Sequence, residues 1–267
     1  MVKAIKMKVS VLASGSSGNS IYVEGKGTKI LIDAGLSGKE IDRRLQEIGV
    51  SGEQLDAILV THEHIDHIKG VGILSRRYDL PIYANDLTWQ GAANKLGKIK
   101  DCNCKIFKEG FMLGNLEIES FSIPHDANDP VGYLIRMGDN RVGIATDMGC
   151  IPPAVEKLLQ GTDLLIIESN HDLEMLWHGS YPWPLKKRIN GEHGHLSNDD
   201  AADLLPRLIN SNYPRILLAH LSQDNNIPEL AYITVKNNLE DHGFIIGKDL
   251  LLDYTYRDRP TMLYDVG

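Results

Sequence analysis

The chain has 267 residues and a formal net charge of −8, with 42% hydrophobic and 24% charged residues. This composition is typical of a globular protein and excludes disordered, collagenous and coiled-coil chains, and no apolar run approaches the roughly 20 residues that cross a bilayer. The negative charge argues against a protein that coats nucleic acid through a general positive field. It is compatible with a nuclease that has a local basic track and a carboxylate-rich metal site.

The first eight residues are basic but lead directly into an alternating strand. A signal peptide requires an apolar stretch and a small-residue cleavage site, and this segment leads into neither. We therefore expect no signal peptide and a cytoplasmic location. Three cysteines are too few for a disulfide framework. We interpret Cys102 and Cys104 as ordinary loop thiols, because a C-x-C pair lacks the further ligands of a structural metal site.

Hydrophobic patterning predicts alternating strands and helices in chain order. In the first part of the chain we predict strands at 7–13, 19–24, 29–33, 55–60 and 81–84, and helices at 38–48, from near Asp66, and at 86–96. In the second part we predict strands at 104–107, 115–122, 131–136, 141–146, 163–168, 215–219 and near 250–254, and helices after Pro152-Pro153, at 198–209 and at 228–241. A Ser197–Asp200 capping box marks one helix start. With no linker or low-complexity stretch, residues 1–267 are predicted to form a single α/β domain.

The sequence THEHIDH at residues 61–67 carries the most informative pattern. An apolar strand ends in a loop with His62 and His64, and a helix then opens with Asp66 and His67. Four nitrogen and oxygen donors within six residues predict a metal site rather than a solvated polar loop.

Further donors follow later strands: His125, Asp147 and His220 each stand just beyond a predicted strand end. A lone residue of this kind is more often an anchor or a cap. Their common placement nevertheless favours a shared site.

This pattern resembles the metallo-β-lactamase superfamily, defined by H-x-H-x-D-H followed by a distant histidine, a bridging aspartate and a last histidine. The resemblance covers residues from about 7 to 256 and implies a four-layer αββα sandwich of two similar halves with a binuclear site at one edge. It implies that one metal ion is held by His62, His64 and His125. It implies that the other is held by Asp66, His67 and His220, and that Asp147 bridges the two ions.

Individual site residues distinguish between the reactions that members of the superfamily catalyse. His64 stands where oxygen-reducing members carry glutamate, and Asp147 stands where true β-lactamases generally carry cysteine. Together with His195 in GHLS at 194–197, these residues resemble the phosphodiesterase branch, which includes tRNA 3′-processing ribonucleases.

Five segments together resemble the YycJ/WalJ family: ASGSSGNS at 13–20, PHD at 124–126, ESNHD at 168–172, GHLS at 194–197 and AHLS at 219–222. That family implies a 5′-to-3′ exonuclease on double-stranded DNA linked to mismatch repair. The glycine-rich segment also resembles cyclic phosphodiesterases of the same branch, so an enzyme acting on RNA or a small cyclic phosphate is the alternative. A non-enzymatic metal-binding scaffold is the alternative from another class.

Two divalent ions activate water and neutralise a phosphodiester, so the resemblance implies catalytic roles for Asp66 and Asp147, with His195 donating a proton or hydrogen bond. The ligand types accept zinc, manganese or iron. We expect Asp33, at the end of a buried strand, to orient a metal-bound histidine rather than to bind metal. For His171, an approach to the metals and a peripheral position stay open.

Two segments are candidates for substrate contact. The glycine-rich segment 14–20 either cradles a phosphate, through residues such as Ser14, Ser16 and Asn19, or forms a tight hairpin. Residues 177–188 combine aromatic residues with a basic triplet, Lys186, Lys187 and Arg188. This segment either stacks on bases and contacts phosphates or is a packed loop with a solvated charge run.

Overall fold

The structure is a computed structural model that describes residues 6–210 and 213–267. The expectation that the chain has no leader rests partly on residues 1–5, which lie outside the described residues. The strands are β1 Met7–Ala13, β2 Ser20–Gly25, β3 Thr28–Ile32, β4 Ala57–Leu59, β5 Ile82–Ala84, β6 Cys104–Ile106, β7 Gly110–Leu113, β8 Leu116–Ser122, β9 Val131–Met137, β10 Asn140–Ala145, β11 Leu164–Glu168, β12 Arg215–Ala219, β13 Leu251–Tyr254 and β14 Tyr264–Val266. The α-helices are α1 Gly38–Glu47, α2 Ile65–Ile68, α3 Val71–Tyr78, α4 Asp86–Leu96, α5 Pro153–Leu159, α6 Leu173–His178, α7 Trp183–Ile189, α8 Asn198–Leu208 and α9 Pro228–Asp241.

The strands form two sheets with the same internal plan. The first has the order β14-β1-β2-β3-β4-β5-β6 and the second has the order β7-β8-β9-β10-β11-β12-β13. In each sheet the first four strands in that order are antiparallel and the last three continue parallel to the fourth. The C-terminal strand β14 therefore takes, in the first sheet, the place that β7 takes in the second, and β3 corresponds to β10.

Strand residues alternate between two cores, because successive side chains point to opposite faces of a sheet. Ile30 and Ile166 lie in the core between the two sheets, whereas Leu31 and Leu165 face outward. Helices α1, α3 and α4 cover the outer face of the first sheet, and α5, α8 and α9 cover that of the second. This arrangement confirms the four-layer αββα sandwich.

Most predicted elements are present with ends that match or differ by one residue, and the Ser197–Asp200 capping box is formed. The predicted strand 55–60 contains only β4, and the helix expected from Asp66 is divided into α2 and α3. Strands β7 and β14 and helices α6 and α7 were not predicted, because each is short and lacks a full hydrophobic period. No helix within the described ranges has the length and apolar character needed to cross a membrane.

Candidate metal centre

The ends of four strands converge at one edge of the sandwich. Asp33 follows β3, the THEHIDH loop follows β4, Asp147 follows β10 and His220 follows β12. Asp33, Asp147 and His220 have φ angles of 60°, 60° and 56°. Aspartate and histidine tolerate this left-handed backbone better than most residues, and here it turns the chain sharply at the point where a polar side chain enters the site.

The predicted ligand residues are close neighbours. Four sets have donor atoms within 4.8 Å of one another, and Asp147 belongs to two of them. These sets are His62, His64 and His125; His62, His67 and Asp147; Asp66, His67 and His220; and Asp147, Glu168, His195 and His220. The structure thus brings together all seven residues expected from the sequence, four from one loop and three from the second half of the chain.

Most of the histidine rings are held through Nδ1. Nδ1 of His67 lies 2.7 Å from Asp33 Oδ2, and Nδ1 of His220 lies 2.8 Å from Glu168 Oε1. Nδ1 of His125 lies 3.3 Å from the carbonyl oxygen of Gly194. Metal-binding histidines characteristically give one ring N–H to a carboxylate or carbonyl so that the other nitrogen is free to bind. Asp33 makes the contact that was expected of it.

Two atoms at the centre of the group are buried without a hydrogen-bond partner among the described residues, Asp147 Oδ2 and His220 Nε2. Buried polar atoms are normally paired, and an unpaired one is costly. An oxygen and an imidazole nitrogen are ordinary ligands of zinc and manganese. The donor set therefore fits divalent cations.

The buried carboxylates of the site need positive charge close to them. Burial alone would lower the pKa of His67, but the Asp147 and Asp33 carboxylates outweigh it and hold this pKa well above its usual range. Burial is likewise opposed at His220, where Asp147 and Glu168 raise the pKa to about 9. At Asp147, burial is outweighed by His220 and His67, which hold the pKa well below its usual range. Protons on the histidines balance these carboxylates, and bound cations would replace those protons.

Glu168, at the end of β11, connects several parts of the site. Its buried carboxylate accepts hydrogen bonds from His195 Nδ1 at 2.7 Å and His220 Nδ1 at 2.8 Å, and from the backbone N–H of Met148 at 2.8 Å and Leu196 at 3.3 Å. Glu168 belongs to the ESNHD segment at 168–172, and no role was predicted for it from the sequence. A buried carboxylate that ends an otherwise apolar strand is the signal that could have identified it.

A cavity of about 280 Å³ lies over the site. Its floor includes several of the predicted ligands, and its walls include His195, Tyr181, His193 and the Asp126–Arg188 ion pair. In this wall the sequence predicted His195 to donate a proton or hydrogen bond, and Arg188 was a candidate for phosphate contact. Because its Nδ1 is held by Glu168, its Nε2 is left for a molecule in the cavity.

The glycine-rich segment 14–20 packs against the metal loop. The Ser14 hydroxyl accepts a hydrogen bond from the His220 N–H at 2.7 Å, and the Asn19 amide nitrogen lies 3.0 Å from His67 Nε2. A Cβ at Gly18 would lie 2.4 Å from the Leu36 side chain, so close packing accounts for this glycine without a ligand. Ser16 is exposed and lines the cavity.

Members of the basic triplet differ in their surroundings. Lys186 is buried, and its ammonium donates to the carbonyls of Trp177 at 2.8 Å and Gly179 at 2.7 Å. The ammonium of exposed Lys187 lies 5.6 Å from the ring centroid of Trp183, and Arg188 pairs with Asp126 at the cavity rim. The charge of Lys186 is therefore used inside the fold.

Three other residues singled out in the sequence lie outside the metal groups. His171 is buried and its Nε2 lies 3.2 Å from Asn190 Oδ1, and it belongs to none of the donor sets among the described residues. Cys102 and Cys104 are free and exposed.

Comparison with known proteins identifies the superfamily to which the chain belongs. A family profile described as "Beta-lactamase superfamily domain" matches residues 28–220. The solved structure of the metallo-beta-lactamase fold protein YhfI from Bacillus subtilis superposes with a TM-score of 0.72 at 17% identity, covering 97% of this chain and 99% of that one. The chain is an enzyme of the metallo-β-lactamase superfamily of hydrolases.

Two relatives narrow the assignment. The chain is 44% identical over 266 residues to "Exodeoxyribonuclease WalJ" of Streptococcus pneumoniae serotype 2 (strain D39 / NCTC 7466), covering 98% of this chain and 99% of the relative. It is 41% identical over 256 residues to "Exodeoxyribonuclease YycJ" of Bacillus anthracis, covering 95% and 97%. Within the superfamily, the chain therefore belongs to the WalJ/YycJ family.

Proposed function

We propose that this protein is a metal-dependent nuclease, and more narrowly a 5′-to-3′ exonuclease on double-stranded DNA. The observation that carries the proposal is the convergence of seven histidine and aspartate side chains beneath one open cavity, with two unpaired ligand atoms at their centre.

In this proposal the chain holds two divalent ions. His62, His64 and His125 hold one ion, and Asp66, His67 and His220 hold the other, with Asp147 between them. When bound, such ions supply an activated water and neutralise the charge on a phosphodiester. The ligand types suit zinc or manganese, and iron is also compatible.

His195 is the chain's own candidate for proton transfer. Glu168 accepts the hydrogen bond from Nδ1 and fixes the ring on the cavity wall. A proton at Nε2 would then pass to the oxygen that leaves phosphorus. Asp66 and Asp147 complete the proposed catalytic group, since their carboxylates lie beside His67 Nε2 at 3.6 Å and 3.5 Å.

Substrate contacts are proposed for the exposed residues at the rim. Ser16 and Arg188 line the cavity and offer a hydroxyl and a guanidinium to it, and Lys187 offers positive charge beside the exposed Trp183. For Ser14, Asn19 and Lys186 the proposed role is to stabilise the site rather than to contact substrate. Their polar groups are already hydrogen-bonded within the protein.

The proposal that DNA is the substrate rests on membership of the WalJ/YycJ family. The named exodeoxyribonucleases of Streptococcus pneumoniae and Bacillus anthracis match nearly the whole chain. Double-strand preference, 5′-to-3′ polarity, a role in mismatch repair and a cytoplasmic setting come from the family resemblance alone.

The test is a time course on duplex DNA labelled at either the 5′ or the 3′ end, with manganese-loaded protein. We expect early release of short products from the 5′ label, and none with Asp147→Ala. If both labels stay intact, the DNA assignment fails, and RNA and cyclic phosphates become the substrates to test. Failure to hydrolyse any phosphodiester under every metal would favour a scaffold.

A further inference from the structure

A second cavity, of about 290 Å³, lies beside the metal centre. Among its lining residues are Ser14 and Leu221 on one side and Tyr256, Arg257 and Asp258 on the other. The last three belong to the loop that follows β13, which neither the sequence motifs nor the proposed reaction assigns to the site.

Residues that are neighbours in sequence line the two cavities. Ser14 is two residues from Ser16 and Leu221 is one residue from Ser222, and both of these serines line the cavity over the metal centre. A Cβ at Gly15 would lie 3.3 Å from the Leu221 carbonyl and 3.9 Å from the Arg257 side chain. Arg257 therefore packs on the turn that separates the two cavities.

The loop backbone is fixed at this point, and the guanidinium is not. The Arg257 carbonyl accepts from Arg44 Nη1 at 2.9 Å, and the Tyr256 carbonyl accepts from the Ser14 N–H at 3.1 Å. Among residues 6–210 and 213–267, no carboxylate lies within ion-pair distance of Arg257, although Asp258 lines the same cavity. A free, half-buried guanidinium on an anchored backbone is suited to bind an oxyanion.

We propose that Arg257 is a substrate-positioning residue that binds a backbone phosphate of the nucleic-acid strand next to the phosphodiester being cleaved. Neighbouring side chains fit a nucleotide. Tyr256 lines the same cavity as Arg257, and the Arg259 guanidinium is 4.1 Å from the Tyr256 ring centroid. Aromatic rings and cations in one groove are the usual means of holding a strand without reading its sequence. This inference rests on the proposed nuclease function.

The experiment compares Arg257→Gln with the wild-type, metal-loaded enzyme on two substrates: a short 5′-phosphorylated DNA duplex, and bis(p-nitrophenyl) phosphate, which has one phosphate and therefore no neighbouring backbone phosphate for Arg257 to bind. For the duplex we expect KM to rise about tenfold, the loss typical of one charge-assisted hydrogen bond. The slope of log KM against log salt should fall by about one. Hydrolysis of the small diester should not change.

Two further variants separate binding from folding. Arg257→Lys keeps the charge and should restore the salt slope. Arg207→Gln removes an exposed arginine on α8, which pairs with Glu156, and should leave every value at the wild-type level.

An unchanged duplex KM and salt slope in Arg257→Gln would overturn the inference while the nuclease proposal stands. Equal loss on the duplex and the small diester would also overturn it, since the residue would then support the metal centre. A wild-type enzyme that cleaves the small diester but neither DNA nor RNA would remove the nuclease proposal, and this inference with it.

Discussion

Replacing Glu168 with glutamine tests how strongly one carboxylate holds the site together. The carboxylate accepts four hydrogen bonds, and a glutamine amide in either orientation turns an NH2 group toward two of the four donors. Losing two bonds to a charged group costs about 3–6 kcal/mol. The histidine partners outweigh burial and hold the pKa of Glu168 at about 2, against 4.5 ordinarily, which corresponds to roughly 3 kcal/mol. We therefore expect Glu168→Gln to lower the free energy of unfolding by about 3 kcal/mol.

The assay is urea unfolding of the metal-free protein at neutral pH, followed by circular dichroism. Glu174→Gln is the control, because the Glu174 side chain is 85% exposed and its ion-pair partner His178 is exposed as well. Since the pKa of Glu168 is lowered by folding, its contribution is present above about pH 4.5 and is lost as the pH falls toward 2. A loss no larger than that of the control at neutral pH would refute the reasoning.

Three further predictions concern single side chains. His195→Ala should lower kcat by about 10²–10⁴-fold with metal content unchanged; unchanged turnover, or loss of metal, would remove the proton-transfer role. Asp33→Asn should weaken metal binding roughly 10–100-fold in a competition titration with a chelator, because the His67 ring loses its carboxylate partner; wild-type affinity would contradict this. Lys186→Met should lower the Tm without altering the salt dependence of DNA binding, since its ammonium bonds two carbonyls, whereas Lys187→Gln should reduce that dependence with little effect on the Tm; the reverse pattern would return Lys186 to the substrate surface.

The metal-ligand candidates could be predicted because residues able to bind metal stand in the sequence directly beside the apolar runs that form strands. Four donors are adjacent in sequence, and the others stand directly after apolar strands whose ends meet at one edge of the sandwich. The strands themselves were detectable because runs such as β3 and β11 bury both faces, with Leu31 outward and Ile30 inward.

Side-chain environment was much less predictable. Lys186 and Lys187 are adjacent in a basic run, yet the helical backbone of α7 directs one inward and leaves the other exposed. Arg257 could not be placed by its sequence position, because its nearness to Gly15 arises only when β13 joins β12. Strand β14 escaped detection because three residues give no period, and only pairing with β1 defines it.

The most direct test of the account is a metal titration of DNA hydrolysis. Protein stripped with a chelator and then given increasing manganese should be inactive without metal and reach full activity at two equivalents per chain, while Asp147→Ala stays inactive throughout. Hydrolysis that survives removal of metal, or that is complete at one equivalent, would contradict a two-ion site built on these residues.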